Sequence, residues 1–286
     1  MRVIIDPHAG PCKGVKRALS MVEQELQRDS DIVALGPIIH NRMEMSRLQD
    51  MGLSTVEQEN IEQGNLEALK NRRIFIRSHG ISKALQQHVN NVGATVCDGT
   101  CPTVHAIQRR IEQYYQNGYQ IIIVGKAKHP EVIGLNGYCD NQATIIQSEE
   151  DVERIQVAEK AFMVSQTTVA HEKFLAIPEK MLQLYPQVVV KDTVCRQVIK
   201  RHDNMRNFAA SVDVVLLVGG KHSSNTRVLF DIAKQSNPQT FWIEQASDID
   251  VTWINENDVI GITGSASTPV WQLEKIQNVV ENVTFN

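Results

Sequence analysis

Three of the five cysteines occupy equivalent places in a recurring pattern of the sequence. Cys12, Cys101 and Cys195 each follow a short β-type run, an aspartate and a turn, and they lie 89 and 94 residues apart along the chain. Thiolates from three separate segments could together bind a metal ion or an iron–sulfur cluster. An odd number of cysteines in a chain of this length is not typical of a disulfide framework, so we expect reduced thiols.

A structural role is the alternative interpretation of these cysteines, because cysteine is often simply a small buried residue. Structural zinc prefers four ligands, often in C-x-x-C pairs, and this sequence has no such pair. Cys97 ends the β run before Cys101, and Cys139 has no counterpart in the other repeats, so we assign both to packing. Iron–sulfur clusters usually have four thiolate ligands, and a three-cysteine site would leave one iron open to substrate.

Each of the three repeated cysteines precedes an amphipathic helix. Apolar or buried-type residues recur every three or four positions after it: Val15, Leu19, Val22 and Leu26; Val104, Ile107, Ile111 and Tyr114; and Val198, His202, Met205 and Ala209. Each thiol is therefore expected at or just before a helix N-terminus. The backbone N–H groups and the helix dipole favour a thiolate at that position.

The repeat continues beyond these helices. A strand ending in glycine follows each helix, and a polar residue stands 28 positions after each cysteine: His40, His129 and Ser223. A further strand then leads to Ser78-His79-Gly80, Ser165–Thr168 or Gly264–Ser267. Strands that alternate with helices indicate parallel sheets, whose ligands bind at the carboxyl ends of the strands. We therefore predict three α/β units, 1–96, 97–193 and 194–286, with these ends facing one centre.

Composition narrows the functional classes. The chain has 286 residues, 42% hydrophobic and 22% charged, which is typical of a folded protein. Its net charge of −4 argues against a general binder of nucleic acid or anionic membranes. The first residues contain no signal-peptide h-region, and the longest apolar run, near Val214–Val218, is too short to span a membrane. We expect a soluble cytoplasmic protein.

Nine short motifs in the same order give the chain a family resemblance. They are Gly10–Val15, Ile38–Arg42, Ser78–Ser82, Asp98–Pro102, His129–Val132, Ser165–Thr168, Asp192–Cys195, Ser223–Asn225 and Gly264–Ser267. Together they resemble the IspH, or LytB, family of 4-hydroxy-3-methylbut-2-enyl diphosphate reductases over nearly the whole chain. Each motif is weak alone, and the ordered set is highly specific.

The resemblance implies a fold, a cofactor and a reaction. The fold is an α/β trefoil of three similar domains with small, mostly parallel sheets around a central iron–sulfur cluster. One [4Fe-4S] cluster per chain would be held by Cys12, Cys101 and Cys195. The family removes the C4 hydroxyl of an allylic diphosphate with two electrons and two protons, giving isopentenyl and dimethylallyl diphosphate in the last step of non-mevalonate isoprenoid biosynthesis. Ferredoxin or flavodoxin would supply the electrons.

The resemblance also assigns residues to the substrate. Glu131 matches the proton donor, and Thr167 matches a hydroxyl that touches the substrate and relays the proton. The residues that match the diphosphate and substrate contacts are His40, His79, His129, Ser223, Ser224, Asn225 and Ser267. Alternatives remain for each type: a solvated loop glutamate, structural histidines, and a serine group that only caps a helix.

Several residues depart from the family pattern. Near the motifs these are Ala9, Pro11, Lys126, Lys128, Leu135, Arg196 and His202. They leave the expected ligands and acid in place but could alter the cluster potential, electron-donor docking or the pocket. Two other interpretations therefore stay open: a diverged paralogue that acts on another phosphorylated substrate, and a non-catalytic iron–sulfur sensor. Residue patterns do not predict the oligomeric state.

Overall fold

Parallel strands form three four-stranded sheets. The computed structural model describes residues 1–29, 31–56, 69–169, 171–221 and 223–283. The strands in these ranges are β1 (Arg2–Ile5), β2 (Ile32–Leu35), β3 (Leu53–Val56), β4 (Arg73–Ile76), β5 (Thr95–Asp98), β6 (Gln120–Val124), β7 (Thr144–Ile146), β8 (Ala161–Ser165), β9 (Val189–Val190), β10 (Val214–Val218), β11 (Thr240–Ile243) and β12 (Val259–Gly264). Every strand pair within them is parallel. The predicted α/β class with small parallel sheets is confirmed.

The three sheets share one strand order. The first sheet is β3-β2-β4-β5, the second is β7-β6-β8-β9 and the third is β11-β10-β12-β1. In each sheet the strand at one edge is the β run that precedes a cysteine. The third sheet takes this strand from the N-terminus, where Ile4 lies opposite Gly261. The predicted repeat is confirmed, with one difference: β1, which precedes Cys12 and falls in the predicted unit 1–96, completes the third sheet.

Helices connect the strands. They are α1 (Lys13–Arg28), α2 (Arg42–Asp50), α3 (Lys83–Asn91), α4 (Pro102–Gln116), α5 (Pro130–Asn136), α6 (Glu149–Val152), α7 (His171–Leu184), α8 (Arg196–Ala210), α9 (Ser224–Ser236) and α10 (Val270–Glu281), with short 3-10 turns at Gly137–Cys139, Ala246–Asp248 and Val251–Trp253. The predicted stripes of α1, α4 and α8 are buried, for example at Val22, Ile111 and Met205. Within the described ranges, no helix combines the length and the apolar content that a bilayer crossing requires.

The sheets owe their stability to apolar layers on their faces. Strands β6 and β8 bury alternate residues in two clusters, with Ile123 and Val164 on one side and Ile122 and Met163 on the other. The third sheet is covered in the same way on both faces. Near-continuous hydrophobic strands are expected when both faces of a parallel sheet are covered. Each fully buried aliphatic side chain contributes about 1.5–3 kcal/mol through burial.

Two compact units divide the chain. One comprises Met1–Lys16, Ile39–Leu48 and Ile199–Asn286 and contains the third sheet; we call it the terminal unit. The other comprises Arg17–Ile38 and Gln49–Val198 and contains the first and second sheets; we call it the central unit. The division into 1–96, 97–193 and 194–286 stays a prediction. Strand β5 crosses the first of those boundaries because it is an edge strand of the first sheet.

Candidate active site

The three repeated cysteines share a local structure. Cys101 is the N-cap of α4, but its thiol makes no capping hydrogen bond to the first turn of the helix. Cys12 and Cys195 directly precede α1 and α8. All three side chains are half-buried. The predicted position at a helix N-terminus, where an anionic sulfur is favoured, is confirmed for each.

An aspartate shapes the turn before each of these thiols. Its Oδ1 atom accepts the backbone N–H two residues further on: Asp6 from His8 at 2.8 Å, Asp98 from Thr100 at 2.9 Å, and Asp192 from Val194 at 3.0 Å. Such side-chain turns replace backbone hydrogen bonds at the end of a strand. The predicted order of strand, aspartate, turn and cysteine is therefore confirmed in all three repeats.

The two remaining cysteines have a different environment. Cys139 is fully buried, and its thiol donates to the carbonyl oxygen of Asn136 at 3.2 Å. Burial raises the pKa of Cys139 to about 11, and burial also raises the pKa of Cys97 in β5. A raised pKa disfavours the thiolate, which is the form that binds metal and reacts. Their predicted role in packing agrees with this environment.

The donor chemistry of Cys12, Cys101 and Cys195 fits an iron–sulfur cluster, which takes thiolate ligands. Cys12 belongs to the terminal unit, and the other two belong to the central unit. Among the residues that the structure describes, no group of three or more His, Cys, Asp or Glu side chains is arranged to hold a metal ion. The joint ligand set therefore stays a prediction that rests on the equivalence of the three thiols.

Glu131 is a buried acid in the central unit. It lies in the first turn of α5, and only 2% of it is exposed. Its Oε1 accepts the backbone N–H of Thr167 at 2.6 Å, and its Oε2 accepts the Thr167 hydroxyl at 2.7 Å. Glu131 is therefore not a solvated loop residue, and the expected pairing of acid and hydroxyl is present.

Burial raises the pKa of Glu131 above its usual range, while the two hydrogen bonds from Thr167 work in the opposite direction. Desolvation disfavours the carboxylate because the charge is removed from water. A carboxyl group with a raised pKa holds a proton closer to neutral pH than an exposed one does. This is the property that a general acid requires.

Thr167 links the acid to one of the repeated cysteines. Its carbonyl oxygen accepts the backbone N–H of Cys195 at 2.9 Å. Thr193 strengthens the same junction, since its hydroxyl donates to the carbonyl of Ser165 at 2.7 Å and accepts the N–H of Ser165 at 2.8 Å. The carboxyl of Glu131 and the backbone of Cys195 are thus fixed to one residue.

Two candidate histidines also meet in the central unit. The rings of His79 and His129 are 5.4 Å apart and nearly perpendicular. His129 caps α5, and its Nδ1 accepts the N–H of Glu131 at 3.2 Å, so the tautomer in this contact carries its proton on Nε2. The N–H of Cys101 donates to the carbonyl of Ser78, next to His79, at 3.0 Å.

A buried cluster of hydroxyl groups lies in the terminal unit. Ser223 caps α9, and its Oγ accepts the N–H of Thr226 at 3.2 Å. Ser267 lies 3.4 Å from Ser223 through their Oγ atoms and 2.8 Å from Ser265. The Thr226 hydroxyl donates to Ser265 at 2.8 Å. Helix capping and hydroxyl clustering therefore coincide at Ser223, and such a helix N-terminus suits an anion.

The other members of the predicted cradle are also placed, with one exception. The backbone of His40 lies against Gly220, three residues before Ser223. Asn225 is half-buried in the first turn of α9. The side chain of Ser224 lies outside the described residues. The structure thus brings His40 close to the Ser223 loop in the terminal unit, and His79, His129, Glu131 and Thr167 together in the central unit.

The sequence-based prediction did not include two polar interactions: first the Asp6–Arg201 pair, and second the helix cap made by Asn41. Arg201 donates to the buried carboxylate of Asp6 at 2.7 Å and to Thr263 at 2.7 Å. Asn41 caps α2 by accepting the N–H of Glu44 at 3.0 Å. Asn followed by Glu three residues later is a capping signature that could have indicated the second group. No local pattern indicates the first, because Asp6 and Arg201 lie 195 residues apart.

Comparison with known proteins gives a consistent result. The LytB protein family matches residues 3–281. The 4-hydroxy-3-methylbut-2-enyl diphosphate reductase of Caldanaerobacter subterraneus subsp. tengcongensis is 39% identical, with 99% of this chain and 98% of that protein aligned. The enzyme of the same name from Clostridioides difficile is 36% identical, with 99% of this chain and all of that protein aligned.

Solved structures agree with these relatives. A structure described as (E)-4-hydroxy-3-methyl-but-2-enyl diphosphate reductase, the terminal enzyme of the non-mevalonate pathway, has a TM-score of 0.76 and 34% identity over 99% of this chain and 100% of that one. The E-1-hydroxy-2-methyl-but-2-enyl-4-diphosphate reductase of Plasmodium falciparum has a TM-score of 0.86 and 25% identity over 100% and 89% of the two chains. With this agreement in sequence and fold, the chain belongs to the LytB family.

Proposed function

We propose that this chain is an oxidoreductase that acts on 4-hydroxy-3-methylbut-2-enyl diphosphate. The reaction removes the C4 hydroxyl as water, consumes two electrons and two protons, and gives isopentenyl or dimethylallyl diphosphate. The observation that carries the proposal is the buried Glu131, held through both carboxyl oxygens by Thr167, whose carbonyl in turn holds the backbone of Cys195. An acid fixed beside a candidate cluster ligand is what a reductive dehydroxylation requires.

The proposed cofactor is one [4Fe-4S] cluster per chain, with Cys12, Cys101 and Cys195 as its ligands. Three half-buried thiols at helix N-termini support this choice, as does the raised pKa of the other two cysteines, Cys97 and Cys139. When bound, the cluster supplies electrons and a Lewis-acidic iron for the substrate hydroxyl.

Glu131 is the proposed proton donor. Water leaves more readily than hydroxide, so a proton delivered to the departing oxygen lowers the barrier. The raised pKa of Glu131 keeps this proton available. The Thr167 hydroxyl, 2.7 Å from Oε2, orients the carboxyl and can pass a proton between it and the substrate.

Side-chain donors are proposed to bind the substrate. Those for the diphosphate are His40, His79, Ser223, Ser224, Asn225 and Ser267, and His129 is a further substrate contact. Ser223 is already oriented by its capping bond, and Ser267 by its contacts with Ser265. Hydroxyl groups held in place before binding lose little side-chain entropy when the ligand arrives. The backbone N–H groups of α9 add donors without adding fixed charge.

Glu131 hydrogen-bonds to Thr167 through its side chain and to His129 through its backbone N–H, and neither partner departs from the family pattern. Leu135 is fully buried in the apolar cluster beside β6, and Pro11 is also buried. Lys126, Lys128 and Arg196 are exposed. A sensor needs neither a buried acid nor a hydroxyl cluster, so these features favour an enzyme. Ferredoxin or flavodoxin as electron donor and a cytoplasmic location are part of the same proposal.

Anaerobic turnover tests the proposal. The full chain, with its cluster reconstituted, is mixed with reduced methyl viologen and 4-hydroxy-3-methylbut-2-enyl diphosphate. We expect viologen oxidation together with formation of the two five-carbon diphosphates. A protein with a full complement of iron and sulfide that produces neither would refute this function and favour a paralogue with another phosphorylated substrate.

A further inference from the structure

Asn41, the neighbour of His40, has a buried side chain. Only 4% of Asn41 is exposed. Its Oδ1 accepts the N–H of Glu44 at 3.0 Å, and its Nδ2 donates to Oε1 of Gln272 at 2.8 Å. Because both ends of the amide are engaged, the side chain has one favourable orientation, and the backbone next to it is fixed accordingly.

Gln272 continues the chain of hydrogen bonds. It lies on α10, is 4% exposed, and donates from Nε2 to the carbonyl oxygen of Glu244 at 2.6 Å. The chain therefore runs in one direction, from a backbone N–H through two amides to a backbone carbonyl. The backbone groups at its two ends determine which atom of each amide is the donor. An aspartate at position 41 would have the same shape but would place two acceptors face to face.

Gly220 lies against the backbone of His40. A Cβ atom on Gly220 would lie 2.5 Å from the carbonyl oxygen of His40, closer than real contacts allow. The carbonyl of Gly220 also accepts the N–H of Ser223 at 3.0 Å. A single glycine thus lets the His40 backbone lie against the loop that sets the Ser223 hydroxyl. An alanine there would force one of the two away.

We propose that Asn41, Gln272 and Gly220 are positioning residues for diphosphate binding. They hold His40 beside the Ser223 loop so that both can donate to one diphosphate group, although the three residues need not touch the ligand themselves. The inference rests on the proposed function and extends it from the residues that bind to those that hold them.

The first test uses Asn41→Asp in the anaerobically reconstituted full chain. Titration calorimetry measures the Kd of inorganic diphosphate, and steady-state kinetics measures KM and kcat. We expect Kd and KM to rise about tenfold, equivalent to about 1.4 kcal/mol, with kcat changed less than about twofold. A fall in kcat with unchanged Kd and KM would overturn the proposal.

Asn282→Asp is the matched control. Asn282 lies in the same compact unit, is exposed, and its side chain donates to the carbonyl of Asn278 at 2.6 Å. The substitution makes the same chemical change and adds the same charge. We expect its Kd and KM to equal those of the unsubstituted chain. An equal rise in both variants would mean that added charge, not the position of His40, weakens binding, and would refute the inference.

A double-substitution cycle asks whether Asn41 acts through His40. We expect His40→Ala to weaken diphosphate binding, and Asn41→Asp added to it to change Kd by less than about twofold, because there is no longer an imidazole to position. If the factor by which Kd rises in the double variant equals the product of the factors for the two single variants, the coupling is refuted. Gly220→Ala, which acts on a different contact of the same residue, should repeat the result and replaces Asn41→Asp if that variant does not fold.

The outcomes separate this inference from the proposed function. A chain that binds inorganic diphosphate but does not reduce the allylic substrate refutes the proposed reaction, and the cycle still decides whether Asn41 positions His40. A chain that reduces the substrate but shows independent effects of His40 and Asn41 refutes only the inference. A chain that neither binds inorganic diphosphate nor reduces the allylic substrate refutes both.

Discussion

At the scale of single residues, burial and hydrogen bonding have opposite effects on the pKa of Glu131. Burial opposes the charged form, and the two donors on Thr167 stabilise it. The net result is a pKa raised above the ordinary glutamate value of 4.5. A carboxyl in water would be almost fully ionised at neutral pH and would have little proton to give. The burial of Glu131 is therefore part of its proposed chemistry.

Glu131→Gln should abolish turnover while leaving the site assembled. The amide oxygen can still accept the Thr167 N–H, but the side chain has no acidic proton to donate. We expect kcat to fall by at least about 100-fold, the usual contribution of a general acid, with cluster content and diphosphate affinity unchanged. Stopped-flow oxidation of reduced methyl viologen measures kcat. Near-normal turnover would remove Glu131 as the acid.

The same substitution should change how stability depends on pH. In the unfolded chain Glu131 ionises around pH 4.5, whereas in the folded chain its raised pKa retains the proton to higher pH. The folded state binds more protons in this window, so its stability falls as pH rises through the raised pKa. The Glu131→Gln variant has no carboxyl to ionise at this position, so it does not show this fall in stability. Urea unfolding at pH 5 and pH 8 should show a smaller decrease for the variant than for the unsubstituted chain.

Thr167→Val should shift the pH profile of any remaining activity. The Thr167 hydroxyl lowers the pKa of Glu131, so its removal raises that pKa further. Activity that requires protonated Glu131 should then persist to higher pH, although kcat is reduced because the relay is missing. Thr167→Ser keeps the hydroxyl and is the control. A profile for valine that coincides with that for serine would contradict the role of this hydrogen bond.

At the scale of helices and strands, the thiol before α8 gives the clearest prediction. Cys195→Ser should lose most of the bound iron, because serine is a poor ligand for a cluster that prefers thiolates. Iron and sulfide, measured after anaerobic reconstitution, should fall well below about four of each per chain. Cys139→Ala is the control, since burial raises the pKa of that thiol and disfavours the thiolate. Full iron content in Cys195→Ser would exclude Cys195 as a ligand.

Arg201→Leu tests the buried ion pair that joins α8 to β1. The Asp6 carboxylate is almost fully buried, and loss of its partner leaves a charge in the interior. We expect the free energy of unfolding to fall by about 3–5 kcal/mol. Arg206 lies on the same helix in an exposed pair with Asp203, and Arg206→Leu should cost less than about 0.5 kcal/mol. If urea unfolding showed equal losses of unfolding free energy for Arg201→Leu and Arg206→Leu, the predicted difference between the buried and the exposed ion pair would be wrong.

The sequence predicts a helix or a turn when the residues that determine it are close together along the chain. The helices after Cys12 and Cys101 were predictable because their apolar stripes repeat within a few turns. The turns were predictable because aspartate acts on its own backbone two residues away. The Asp6–Arg201 pair was not, because nothing near either residue depends on the other. The capping role of Asn41 does have a local signal, the glutamate three residues later.

At the scale of the whole molecule, the repeat is permuted along the chain. The sequence predicted the recurring units, because the spacing of cysteines and strand-end polar residues is visible in one dimension. It placed β1 in the first unit, since neighbours along the chain usually pair. The observed partner of β1 is β12, over 250 residues away. Such a pairing depends on which sheet lacks its fourth strand, and that is a property of the complete fold.

Ile5→Asp tests this permuted pairing. Ile5 lies opposite Ile262 and packs against the apolar cluster of the third sheet, so a carboxylate there should loosen the β1 edge. Hydrogen exchange should become faster at the amides of Val259–Gly264 while those of Ile32–Leu35 keep their protection. Val56→Asp at the edge of the first sheet is the reciprocal control, because Val56 lies opposite Leu35. If Ile5→Asp loosened Ile32–Leu35 first, β1 would belong to the first sheet in solution.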